Sequence, residues 1–168
     1  MKVGLVGLGR MGAAIGQRLN ERGCDVVAWD RNPKAREVQG KRGLRLVNGP
    51  RAVADEAEVV LSIITEDKGV RQIFTAPDGF LSGEVKGKLF VEMSTLQPMT
   101  HRELAPIVKA KGASLVDSPV MGSIPTVREA SCSRCSAGRP PTSSVPAPCS
   151  TISRAASCIS APTAPAAP

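Results

Sequence analysis

The sequence predicts an α/β protein with a doubly wound parallel sheet, and three observations predict it. Short runs of bulky apolar residues recur between residues 2 and 117, each the length of a buried strand. Between them lie segments whose apolar residues fall three and four apart, the spacing of a helix with one buried face. Glycine, proline and acidic residues punctuate the junctions. Strands alternating with helices imply parallel strands in one sheet, covered on both faces.

Lys2–Val6 is the first expected strand. Gly7, Leu8, Gly9, Arg10, Met11 and Gly12 follow at once, and Ala13–Leu19 has Ile15 and Leu19 at helical spacing. Asp25–Trp29 is a second strand that delivers Asp30. Pro33–Gln39 reads as a short helix with proline in its first turn, and Leu44–Val47 as a brief third strand. Gly49 and Pro50 open another helical turn through Val53 and Ala54, and Glu58–Ile64 is a β-branched run suited to a buried strand. Asp67 is placed to cap a helix with Val70, Ile73 and Phe74 on one side, and Ala76–Gly79 is turn chemistry. Lys88–Glu92 is a fifth strand ending in Met93, Ser94 and Thr95. Pro98 then begins a helix with Leu104, Ile107 and Val108 as its inner face. Ala113–Asp117 is a sixth strand, leading into Ser118–Gly122.

The first thirty residues carry the functional signal. Gly7 allows a tight exit from the strand, Gly9 leaves room for a pyrophosphate against the backbone, and Gly12 lets helix and strand approach closely. The N–H groups of the helix's first turn, at the positive end of its dipole, face the phosphates. Asp30 sits where a carboxylate accepts hydrogen bonds from an adenosine ribose. A glycine motif alone is weak evidence. Here it follows a strand, opens a helix and has its acid at the expected distance, so dinucleotide binding is expected. Ligands of such sheets bind beyond the carboxyl ends of the strands, where Ile64, Thr65, Ser94, Thr95, Met121 and Gly122 also fall.

Composition narrows the alternatives. The formal charge is +7, but the basic residues are scattered, and three Phe, one Trp and no Tyr offer little for base stacking, so no nucleic-acid partner is expected. No apolar run approaches a membrane span, and the N-terminus enters a strand without a secretory segment, so a cytoplasmic location and no membrane partner are expected. Cys132 and Cys135 form a CxxC with no matching second pair or histidine, so no metal is expected. His101, the one histidine, is expected on an exposed helix surface with no carboxylate to orient it.

The motifs at 7–12, 93–95 and 117–123, in this order, resemble those of the β-hydroxyacid dehydrogenases. That group includes 3-hydroxyisobutyrate dehydrogenase and is related to 6-phosphogluconate dehydrogenase and the imine reductases. The resemblance covers residues 1–129 and implies a Rossmann-type NAD(P)-binding domain. It implies that Gly7, Leu8, Gly9, Arg10, Met11 and Gly12 hold the pyrophosphate and that Asp30 meets the ribose. Ile64, Thr65 and Thr95 would line the path to the nicotinamide, and Met121, Gly122 and Ser123 would hold the carboxylate of a small hydroxy-acid substrate. The family's loop usually reads Ser-Gly-Gly. Met121 departs from it by removing a hydroxyl donor, which shifts weight toward an imine reductase; Met121 as a plain packing residue is the alternative. Asp30 repels a 2′-phosphate and Arg31 attracts one, so the cofactor is NAD or NADP, with the balance to NAD.

From Ala130 the composition changes. Residues 130–168 hold nine Ser, nine Ala and seven Pro, with no Leu, Phe, Lys, Asp or Glu, and are expected to be disordered. The sheet is accordingly expected to be incomplete at its C-terminal edge. Four of the five cysteines (Cys132, Cys135, Cys149 and Cys158) fall in this tail. Read one base out of frame, with suitable codons, residues 130–138 become Gly-Lys-Leu-Leu-Ala-Leu-Leu-Gly-Gly. Residues 160–166 become Leu-Gly-Pro-Asn-Gly-Ala-Gly. Both resemble family segments, so a frameshift near Glu129 is expected. The family's catalytic lysine, the asparagine after it and its helical dimerisation domain have no counterpart here. No catalytic residue is assigned, this chain is expected to be inactive, and a homodimer is expected only with that domain restored. A non-catalytic nucleotide-binding module is the alternative.

Overall fold

A computed structural model of the protein describes residues 1–119. The elements are β1 (Lys2–Val6), α1 (Arg10–Glu21), β2 (Asp25–Trp29), α2 (Pro33–Lys41), β3 (Arg45–Leu46) and α3 (Pro50–Glu56). They continue with β4 (Val59–Ser62), α4 (Asp67–Thr75), a 3-10 turn (Phe80–Ser82), β5 (Leu89–Glu92), α5 (Pro98–Ala110) and β6 (Ser114–Asp117). The expected alternation is present throughout.

The strands form one sheet in the order β3-β2-β1-β4-β5-β6, and every neighbouring pair is parallel. This is the order of two mononucleotide-binding halves joined side by side. The strand order reverses between β1 and β4, and the loops that leave those two strands line a crevice. β6 is the edge strand of the described sheet. What lies beyond it, including the tail at 130–168, Met121, Gly122 and Ser123 and the four cysteines there, falls outside the described residues.

Alternation along the strands divides the core between the two faces of the sheet. Val3 and Leu5 of β1 join Ile15 and Leu19 of α1, with Val26, Val59 and Leu61. Val6 and Val27 join Val53, Val70, Leu104 and Val108 on the other face. All three phenylalanines of the chain meet on that second face. The Phe74 and Phe80 rings lie 5.0 Å apart, edge to face, and Phe90 lies 5.4 Å and 5.1 Å from them. Such geometry suits the ring quadrupoles and adds to the burial of each ring.

Several local expectations are corrected. Ile107 does not belong to the inner face of α5: it is 43% exposed, whereas Thr100, Leu104 and Val108 are buried. The buried stripe runs at a spacing of four and takes a threonine in preference to the isoleucine. Asp67 is not the cap of α4 but its first residue, behind Glu66, which makes no side-chain cap. The Asp67 carboxylate instead accepts from the Gln97 N–H (3.0 Å) and the Thr100 hydroxyl (2.5 Å), joining the start of α4 to that of α5. Those hydrogen bonds, Thr100 first, hold its pKa below the ordinary value. β4 ends at Ser62, short of Ile64. The Ile63 N–H still reaches the Val6 carbonyl, but the Ile64 N–H turns to the Ser94 side chain.

Candidate functional site

The glycine loop follows from steric limits. Gly7 has φ +97°, a region that L side chains rarely adopt, and a Cβ there would lie 2.1 Å from the Ile63 carbonyl oxygen. A Cβ on Gly12 would lie 1.8 Å from the Gly7 carbonyl oxygen. Helix α1 therefore rests directly on the loop that leaves β1. Gly9 differs, because nothing lies within 4 Å of the position its Cβ would take. It is the N-cap of α1 and supplies no side-chain cap. The first N–H groups of a helix have no partner within it. An open space thus faces unpartnered donors at the positive end of a helix dipole, a cradle suited to an anionic phosphate.

Asp30 closes the other side of the loop. Its Oδ2 accepts the Leu8 N–H at 2.6 Å and its Oδ1 accepts the Asn32 N–H at 2.7 Å. One carboxylate joins the glycine loop to the turn before α2. A carboxylate offers about four acceptor positions, so about two remain for ribose hydroxyls. Arg36 donates to the Asp30 carbonyl oxygen at 2.9 Å. Asn32 caps α2 through the Lys34 N–H, with Pro33 in the first turn.

A cleft of about 430 Å³ lies between these elements and the loop after β4. Gly7, Gly9, Asp30, Arg31, Ile64 and Thr65 all line it. The other expected contacts are placed differently. Leu8 is buried and Gly12 packs against Gly7; Arg10 is exposed, Met11 half-buried and Thr95 exposed, and none of these lines the cleft. Trp29, Pro50, Gln72 and Asp78 also line it and were not singled out from the sequence. Trp29 could have been, since it precedes Asp30 at a strand end. Gln72 reaches the cleft through the docking of α4 and Asp78 through the turn after it, where the Arg51 N–H donates to its carbonyl, and no local signal reports either.

A buried polar network lies behind the cleft at the ends of β4 and β5. Glu92 is 1% exposed. Its Oε2 accepts the Ser62 hydroxyl at 2.5 Å, and its Oε1 accepts the Ser94 N–H at 2.9 Å. Ser94 Oγ in turn accepts the Ile64 N–H at 2.7 Å. Burial pushes the Glu92 carboxyl above its ordinary range, opposed by the hydrogen bonds from Ser62 and Ser94. His101 is corrected as well. Its side chain is only 17% exposed, and its Nε2 lies 3.6 Å from Asp117 Oδ1. Apposition of α5 and β6 brings the two together, although fifteen residues separate them in the chain.

Fold and cleft together define a doubly wound nucleotide-binding domain. The sequence matches, over residues 2–152, the family described as the NAD binding domain of 6-phosphogluconate dehydrogenase, and the chain belongs to that family. Cytokine-like nuclear factor N-PAC of Danio rerio is 32% identical over 122 residues, covering 73% of this chain and 26% of that protein. Mitochondrial 3-hydroxyisobutyrate dehydrogenase of Mus musculus is 28% identical over 126 residues, covering 75% of this chain and 38% of that protein. A solved structure of Mycobacterium tuberculosis 3-hydroxyisobutyrate dehydrogenase with L-serine superposes with a TM-score of 0.79. It is 24% identical, and the match covers 95% of this chain and 50% of that one, a likeness of fold. The chain spans between 26% and 50% of the length of these relatives. No helix among the described residues is long and apolar enough to cross a membrane.

Proposed function

We propose that the chain is the NAD(P)-binding half of an oxidoreductase of the β-hydroxyacid dehydrogenase type, acting on a small 3-hydroxy acid. The observation that supports this best is the open space at Gly9, set between the α1 N-terminus and Asp30 at the switch point of the sheet. The residues present fit a dinucleotide. Gly7, Gly9 and the first turn of α1 would hold the pyrophosphate, Asp30 the adenosine ribose, and Ile64 and Thr65 a wall of the cleft. Nicotinamide supplies the hydride chemistry, and the protein supplies position and exclusion of water. Met121, Gly122 and Ser123 would hold the substrate carboxylate by resemblance. The family's lysine, which moves the substrate's proton, has no counterpart in the sequence given, so this reading assigns no catalytic residue.

NAD is the favoured cofactor. It is supported by the Asp30 carboxylate, fixed by two N–H groups, which would accept from a ribose and oppose a 2′-phosphate that Arg31 would attract. Titration with NADH and NADPH tests both statements through energy transfer from Trp29, the only tryptophan of the chain and a residue of the cleft. NADH is expected to bind more tightly, and Asp30→Asn to narrow the ratio by about tenfold, or ~1.4 kcal/mol. Absence of binding by either cofactor would end the dinucleotide proposal.

A second reading, a non-catalytic nucleotide-binding module, is supported by the likeness to a protein named as a nuclear factor. The nucleotide sequence from codon 120 to several hundred bases past the stop separates the two. A shifted frame that runs open through Gly-Lys-Leu-Leu, a glycine motif and a lysine followed by asparagine favours the enzyme. A frame that closes within a few codons of Glu129 removes the frameshift and favours the module.

A further inference from the structure

Glu92 does not line the cleft, yet through Ser94 it braces the loop after β4 that does. A carboxyl group buried at the end of a strand is costly unless its oxygens are hydrogen-bonded, and it does little for a core that an apolar residue would fill better. Here both oxygens are engaged, each by a different segment. Ser62, the last residue of β4, donates to Oε2, and the Ser94 N–H, in the loop after β5, donates to Oε1. The Glu92 carbonyl accepts the Ser118 N–H at 2.8 Å, which brings in the loop after β6. Ser94 Oγ accepts the Ile64 N–H at 2.7 Å, which reaches the loop after β4. Ser94 is thus held by Glu92 through its backbone N–H and holds Ile64 through its side-chain oxygen.

The chain of contacts continues to the glycine loop. Ile64 lines the cleft. Its Cδ1 lies 3.2 Å from where a Cβ on Gly7 would stand, and its Cγ2 lies 2.8 Å from the corresponding point on Gly69 of α4. Ile64 is thus wedged between the loop that would cradle the pyrophosphate and the helix that forms the far wall. Its own N–H has left the sheet ladder, which the Ile63 N–H ends at Val6. Ser94 is the partner that replaces the ladder, and Glu92 holds Ser94.

We propose that Glu92 is a positioning residue that fixes the Ile64 wall of the cleft through Ser94. The proposal rests on the dinucleotide reading for its ligand, but the fixing of Ile64 is a property of the unliganded chain and is measurable without one. A residue of merely structural value would lower global stability and leave Ile64 no looser than its neighbours. A positioning residue loosens Ile64 selectively, and the isosteric amide restores it. In Glu92→Gln the side-chain oxygen still accepts from the Ser94 N–H, and the amide can donate to Ser62 Oγ.

The test compares the wild-type chain with Ser94→Ala, Glu92→Ala and Glu92→Gln by residue-resolved amide hydrogen exchange, urea unfolding and NADH titration. Ser94→Ala is expected to speed exchange at Ile64 at least about tenfold with Leu61, inside β4, unchanged, and to weaken NADH about fivefold. Glu92→Ala should do the same, and Glu92→Gln should match wild type at both. Should Glu92→Ala fail to fold, Ser94→Ala and Glu92→Gln still decide. Unchanged exchange at Ile64 in Ser94→Ala overturns the proposal, as does loosening of Leu61 to the same extent. Should wild type bind no dinucleotide, the proposed ligand falls, and the exchange at Ile64 still judges the positioning.

Discussion

The two glycines that flank Arg10 and Met11 should respond in opposite ways to the same substitution. In Gly12→Ala the new methyl would lie 1.8 Å from the Gly7 carbonyl oxygen, and ordinary contact begins near 3.4 Å. Backbone would have to move by about 1.6 Å to relieve it, and since the obstacle is a carbonyl rather than a flexible side-chain end, the cost should reach or exceed ~3 kcal/mol. That is a large part of the ~5–15 kcal/mol that holds a domain folded. In Gly9→Ala the methyl meets nothing within 4 Å, and φ −62° suits any L residue. Loss of the better cap costs about 1 kcal/mol or less. The methyl instead occupies the phosphate cradle. Losing one charge-assisted hydrogen bond, ~2–3 kcal/mol, should raise the NADH dissociation constant about 30- to 150-fold. Urea unfolding followed by Trp29 fluorescence gives the first quantity and energy transfer to NADH the second. Wild-type stability in Gly12→Ala, or wild-type NADH affinity in Gly9→Ala, would refute the steric account of the loop.

Two further outcomes follow from the core and from the buried carboxyl. Phe90 is fully buried against two other rings, so Phe90→Ala should cost about 3–5 kcal/mol in urea unfolding, and a loss under about 1 kcal/mol would contradict the packing described. Glu92 has a folded pKa raised above its ordinary value of 4.5, so its contribution to stability is fully present below that value and is lost as pH rises through the folded pKa. Glu92→Gln cannot ionise and escapes that loss. Its stability relative to wild type should therefore climb as pH rises above 4.5, and a difference that stays flat there would exclude a raised pKa.

The parts of the site that the sequence makes legible are those built from neighbours in the chain. Gly7, Gly9, Gly12 and Asp30 belong to one strand–turn–helix–strand unit, and each has a local steric or hydrogen-bonding reason for its place. Ile64 and Thr65 follow from the rule that ligands meet parallel strands at their carboxyl ends. The illegible parts depend on pairing between distant segments. An acid at the end of a short strand such as β5 has no local mark of burial; Glu92 becomes buried when β4 and β6 flank it and Ser62 arrives beside it. His101 meets Asp117 only when α5 lies against the sheet. Thr100 takes the inward position through its bond to Asp67, on another helix, and Ile107 is left outside. In each case tertiary context outweighs the side chain's own preference.

Among the described residues, the cleft's walls all come from one stretch of chain, from Gly7 to Asp78. Among those residues, whatever shapes the cavity directly is therefore encoded in one uninterrupted block. Such a block is portable. It can be copied or fused to new partners and still carry its cavity, provided that the supports that brace it, Glu92 and Ser94 among them, travel with it. Sequence outside that block and its supports is then free to vary without altering these walls.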